Sequence, residues 1–115
     1  MFVAVKRQPL KEEVNAFMRE AAIMAQLRHP NVVSLVGVCT AGEPKMLVMQ
    51  LCEYGSLLKF LQKHTGFNEL QFSSKLRIMG DVARGMHFLS SLKIVHRDLA
   101  ARNVLVGADY ICKVL

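Results

Sequence analysis

Residues 94 to 106 read IVHRDLAARNVLV. An apolar frame, Ile94-Val95 and then Val104-Leu105-Val106, is interrupted by His96, Arg97, Asp98, Arg102 and Asn103. Upstream lies the longest helical pattern of the chain, from Leu70 to about Ser91, with Leu76, Met79, Val82, Ala83, Met86 and Leu89 in register. Downstream, NVLV (103 to 106) and YICKV (110 to 114) read as short strands joined by Gly107-Ala108-Asp109. The polar set therefore falls in a loop between a long helix and a short strand, where a rigid scaffold presents chemistry.

The rest of the chain completes the layout. FVAVK (2 to 6) is short, β-branched and apolar, a strand pattern. From Lys11 to Leu27, the residues Val14, Phe17, Met18, Ala21, Ala22 and Ala25 mark one face of a helix, and Pro30 forbids its continuation. VVSLVGVC (32 to 39) and KMLVMQL (45 to 51) read as two strands around the turn TAGEP. Ser56 is placed to cap a short helix reaching about Gln62, and Gly66 and Asn68 mark a further loop. The order is strand, helix, strand, strand, helix, helix, loop, strand, strand: a mixed α+β layout without a βαβ repeat.

Composition narrows the class. Hydrophobic residues make up 52% of the 115, enough for a packed core and too many for disorder. No apolar run reaches the roughly 18 to 20 residues a membrane helix needs. MFVAVKRQP at the start lacks the features of a secretory signal. Cys39, Cys52 and Cys112 are odd in number and form no C-x-x-C pair, which fits free thiols in a reducing, cytoplasmic setting. The net charge is +6, but the lysines and arginines are scattered, without the clustering that nucleic-acid binding requires. The seven methionines read as core filler, not as metal ligands.

His96-Arg97-Asp98-Leu99, three positions, then Asn103 match the pattern H-R-D-L-x-x-x-N. A hydroxyl nucleophile needs a nearby carboxylate to take its proton, and a carboxamide oxygen suits a hard cation held against phosphates. Other stretches follow in the same order: VAVK at 3 to 6, Phe17-Met18-Arg19-Glu20, RHPNVVSLVGVC from 28, and LVMQLCEYGSL from 47. Together they resemble a protein tyrosine kinase domain, over essentially the whole chain. Ala100 stands where serine/threonine kinases typically carry lysine, and Arg102 takes the place typical of tyrosine kinases.

The resemblance implies a bilobal kinase-like fold in truncated form. Residues 1–51 would be part of the small lobe, and 52–115 the hinge and the first part of the large lobe. It implies ATP and Mg²⁺, and a protein tyrosine as acceptor. Lys6, paired with Glu20, would orient the phosphates. Met49 would guard the back of the adenine pocket, with Gln50, Leu51 and Cys52 as hinge and Ala4 and Leu105 on the two sides of the ring. Asp98 would take the phenol proton, Arg102 would help to fix Asp98 and the phenol, and Asn103 would bind Mg²⁺. His96 would be structural. Each residue also has a plainer role. Lys6 and Glu20 taken alone fit solvated surface charges, Ala4 and Leu105 fit core, and Cys52 fits a buried thiol.

The 115 residues hold neither a glycine-rich phosphate loop nor an Asp-Phe-Gly triplet, the main Mg²⁺ site of the family. The chain by itself is therefore expected to be inactive. Two functions compete: part of an active tyrosine kinase, or a kinase-derived binding module without catalysis. Intact Asp98 and Asn103 favour the first, since a binding module has no chemical use for them.

Overall fold

The computed structural model describes residues 3–7, 14–42, 44–66 and 69–115. Residues 2, 11–13, 43 and 68, assigned above to a strand, a helix, a turn and a loop, lie outside the described residues. The elements are β1 (Val3–Arg7), α1 (Val14–Ala25), β2 (Leu35–Cys39), β3 (Met46–Gln50), α2 (Leu57–Lys63), α3 (Phe72–Ser91), a 3-10 turn (Ala101–Asn103), β4 (Val104–Val106) and β5 (Cys112–Val114). Their order is the one expected from the sequence. The chain divides into two compact units, residues 1–28 with 33–51, and residues 29–32 with 52–115.

The first unit is an antiparallel sheet in the order β1-β3-β2 with α1 against β2. Ala4 pairs with Met49 and Lys6 with Leu47, while Val38 pairs with Leu47 across the other side. Phe17 and Ala21 lie four positions apart on α1 and pack with Leu47, joined by Met24 and Leu35. Full burial of side chains such as Phe17 and Leu47, each 1% exposed, contributes about 1.5–3 kcal/mol apiece.

β2 begins at Leu35, not at Val32 as the apolar run suggested. Residues 29–32 pack with the second unit because Asn31 is tied to β5. Its Nδ2 donates to the Cys112 carbonyl at 3.0 Å, and its own carbonyl accepts from Val114 N at 2.8 Å.

In the second unit, β4 and β5 form an antiparallel hairpin with Val104 opposite Val114 and Val106 opposite Cys112. Leu57, Phe60, Ile78, Val104, Val106 and Cys112 make its core. Ser56 caps α2, its Oγ accepting from Lys59 N at 3.3 Å, as its position before an apolar run predicts. Tyr110, read above as the start of a strand, instead sits in the hairpin turn at φ 62°.

The register of α3 differs from the periodicity count. The buried residues are Ile78, Asp81, Gly85 and Leu89. Leu76 and Met79 are exposed, while Val82 and Met86 are half-buried. A glycine and an aspartate select this face. A Cβ on Gly85 would run into the Asn31 carbonyl and Val114. Asp81 Oδ2 accepts from Cys112 N at 2.9 Å, which fixes β5 on the helix. Neither residue scores in an apolar count. Among the described residues, no helix is long and apolar enough to cross a membrane.

Candidate functional site

The loop 96–103 is shaped by its own polar groups. His96 Nδ1 accepts from Asp98 N at 3.1 Å. That leaves the proton on Nε2, which donates to the Leu115 carbonyl at 2.7 Å. Leu115 N in turn donates to the Asn103 carbonyl at 2.9 Å. Arg97 sits between them at φ 74°, a left-handed conformation costing on the order of 1 kcal/mol or more in a non-glycine residue. The loop trades that strain for a fixed direction at Asp98.

Asp98 is held at both oxygens. Arg102 Nη2 meets Oδ1 at 2.5 Å, and Asn103 Nδ2 donates to Oδ2 at 3.0 Å and to the Asp98 carbonyl at 2.9 Å. The Asp98 and Arg102 side chains remain 61% and 59% exposed, so their ion pair contributes at most about 1 kcal/mol of stability. Its effect is positional: an accessible carboxylate with one orientation. Asn103 spends its NH₂ on Asp98, and its Oδ1 accepts no hydrogen bond among the described residues. That oxygen is the kind of donor a hard cation takes. It fits a single Mg²⁺ ligand and no more. Among the described residues, no group of three His, Cys, Asp or Glu is placed to hold a metal. The remaining oxygens would have to come from phosphates, water or residues outside 1–115.

In the first unit, Lys6 Nζ lies 3.2 Å from Glu20 Oε1. Glu20 stands three positions after Phe17 and one before Ala21, so the burial of these two aims it toward β1. Met49 is buried beside Ala4 on the neighbouring strand. Gln50 is committed inside this unit, a bond that sequence reasoning missed. Its Oε1 accepts from Ser34 N at 2.8 Å and its N donates to Ser34 O at 2.9 Å. What Gln50 retains for a ligand is its carbonyl. Leu51 is exposed. Cys52 is buried, its thiol is pushed up by that burial, and its carbonyl accepts from Gly55 N at 3.0 Å. Leu105 is half-buried on β4, bridged to Ser56.

The predicted site residues thus fall into two sets. Ala4, Lys6, Glu20, Met49, Gln50 and Leu51 belong to the first unit, and Cys52, Asp98, Arg102, Asn103 and Leu105 to the second. Within each set the charged partners meet. A cavity of about 300 Å³ in the second unit, walled by Phe60, His64, Arg77 and Tyr110, contains none of them.

The family described as protein tyrosine and serine/threonine kinase matches residues 1–115. The chain is 42% identical over 113 residues to the tyrosine-protein kinase SRK3 of Spongilla lacustris, covering 97% of this chain and 34% of that protein. It is 44% identical over 113 residues to human tyrosine-protein kinase FRK, covering 97% of this chain and 22% of FRK. It is 50% identical over 99 residues to the ephrin type-A receptor 7 of Gallus gallus, covering 85% of this chain and 10% of the receptor. The chain therefore spans between a tenth and a third of the length of these relatives. With the family matched from end to end and its loop in place, the chain belongs to the protein tyrosine and serine/threonine kinases.

Proposed function

We propose that this chain is part of a protein tyrosine kinase and carries its proton-accepting loop and phosphate-orienting lysine. The reaction is transfer of the γ-phosphoryl of ATP to a tyrosine hydroxyl. The observation that carries the reading is the accessible carboxylate of the loop, Asp98, held at one oxygen by Arg102 and at the other by Asn103.

Asp98 receives the phenol in hydrogen-bond reach and takes its proton as the oxygen attacks phosphorus. Positioned acid–base groups of this kind contribute about 10²–10⁴-fold. Arg102 keeps the carboxylate turned toward the acceptor. Asn103 would hold Mg²⁺ through Oδ1 while its NH₂ stays on Asp98, which would tie the cation site to the base. Mg²⁺, when bound, offsets charge on the phosphates. Lys6, steadied by Glu20, orients the α- and β-phosphates. Main-chain groups of Gln50 and Leu51 meet the adenine edge, with Ala4 and Met49 of the same unit as its apolar surroundings. An ATP-bearing, reducing cytoplasm suits this chemistry and the free Cys39, Cys52 and Cys112.

One Mg²⁺ ligand does not make an octahedral site, so the polypeptide 1–115 alone is expected to turn over poorly. The test therefore places residues 1–115 in the matching position of the complete FRK catalytic domain. The expected result is phosphate on tyrosine of a mixed Tyr/Ser peptide, and none on serine. A folded chimera that leaves the tyrosine unmodified would overturn the proposal.

A further inference from the structure

Tyr54 and Tyr110 are the two tyrosines of the chain, and there is no tryptophan. They are 56 positions apart in sequence. Their rings nevertheless stack, with centroids 4.8 Å apart and planes 17° apart, and their hydroxyls meet at 3.1 Å. Both side chains stay open to solvent, at 43% and 44% exposure, so burial does not explain the pairing.

The backbone explains the approach. Tyr54 N donates to Val106 O at 3.0 Å, Val106 N donates to Gly55 O at 2.8 Å, and Glu53 Oε2 accepts from Ala108 N at 2.7 Å. These three bonds lock the turn before α2 onto the β4–β5 turn without using either ring. Tyr110 itself stands at φ 62°, where a bulky residue is disfavoured and glycine or asparagine would fit at less cost. A tyrosine at that point is a costly choice whose visible product is the phenol pair.

We propose that Tyr54 and Tyr110 form an oxidative cross-linking site, in which a one-electron oxidant of the peroxidase class with hydrogen peroxide couples the two rings within one molecule. Each phenol loses one electron and one proton to the oxidant. Tyr54 donates its hydrogen bond to Tyr110, so the Tyr110 O–H faces outward and is the first to go. The two phenoxyl radicals join through a carbon–carbon bond between ring positions ortho to oxygen. The two ring protons at those positions then move to the oxygens, restoring both phenols. Peroxide takes up the two electrons and two protons as water. The rings must turn from face-to-face to edge-to-edge, which their exposure permits. The product fastens the start of α2 to the β4–β5 turn.

The experiment treats dilute native chain 1–115, only its accessible Cys39 thiol blocked, with horseradish peroxidase and equimolar peroxide. Dityrosine fluorescence in the monomer fraction is the readout, together with a mass loss of two hydrogens and fragment spectra joining the peptides of Tyr54 and Tyr110. Folding supplies a large effective concentration of one ring at the other, so denaturing urea should lower the intramolecular yield by about tenfold or more. Tyr54→Phe and Tyr110→Phe should each abolish it. Cross-links formed only between molecules, or an intramolecular yield unchanged by urea, would overturn the proposal without touching the kinase reading.

Discussion

Asn103 and Asp98 are joined twice through one amide group: Asn103 Nδ2 donates both to the Asp98 carbonyl, at 2.9 Å, and to its carboxylate, at 3.0 Å. The bond has a direction. It turns the Asn103 amide so that Oδ1, not the NH₂, is left for a cation, and it removes one rotation from the carboxylate. In the proposed reaction the proton acceptor and the cation ligand would thereby be set as one rigid part before any substrate arrives, which is the condition under which such groups lower a barrier.

Lys6 and Glu20 supply a contrast between stability and chemistry. Their side chains are 54% and 41% exposed, so the pair contributes no more than about 1 kcal/mol to folding. In the FRK chimera, Lys6→Met and Glu20→Gln should each shift the unfolding free energy by less than about 1 kcal/mol. Phosphotyrosine formation should nevertheless fall by about 10²-fold or more, the scale of losing one preorganised charge in a site. Equal losses of stability and activity would assign the pair a structural role instead.

Much of this was readable in advance. The element order, the Ser56 cap and the loop 96–103 all rest on short-range signals: apolar spacing, a hydroxyl before a helix, polar groups between two patterns. What escaped was long-range. Nothing local to RHPN says that the Asn31 amide and carbonyl will hold a strand 81 positions away. Nothing local to α3 says that Gly85 and Asp81 define its inner face. The Gln50 bond to Ser34 is of the same kind, a side chain spent on a neighbour that only the sheet brings near. The Tyr110 turn was missed because a tyrosine before β-branched residues reads as strand.

Asp81 is 4% exposed, and its carboxylate carries both the Cys112 N–H and Arg84. Asp81→Ala strands a buried donor and should destabilise the fold by about 2–4 kcal/mol in chemical denaturation. A change below about 1 kcal/mol, the size of a surface substitution, would contradict the assignment of Asp81 as the anchor of β5 on α3.

The Cys112 thiol is 1% exposed, and burial, reinforced by the Asp81 carboxylate, pushes its pKa from 9.0 to about 11. The native state therefore favours the neutral thiol. Below pH 9 both folded and unfolded chains carry the proton, and the stabilisation is complete. Between pH 9 and about 11 the unfolded chain ionises first and stability falls. The loss should approach about 2–3 kcal/mol. Cys112→Ala should flatten that part of the pH profile; profiles of wild type and variant that run parallel across the window would refute the linkage.

Phe72, Leu76 and Met79 follow one another at helical spacing on α3 and are 72%, 51% and 55% exposed. An apolar stripe of this kind drives association. The double variant Leu76→Gln, Met79→Lys should shift chain 1–115 toward monomer in analytical ultracentrifugation. Since neither side chain is buried, each substitution should cost no more than about 0.5 kcal/mol of stability. A variant that stays as associated as the parent would show that another surface is responsible.

The central claim is that Asp98 takes the proton of a tyrosine hydroxyl, and the turnover number of the FRK chimera carrying Asp98→Asn tests it most directly. The substitution keeps the size of the side chain and removes its basicity. With saturating MgATP and a tyrosine peptide, kcat should fall by about 10²–10⁴-fold, while the KM for ATP and the melting temperature stay within experimental scatter of the parent chimera. A kcat within a few-fold of the parent would contradict the account.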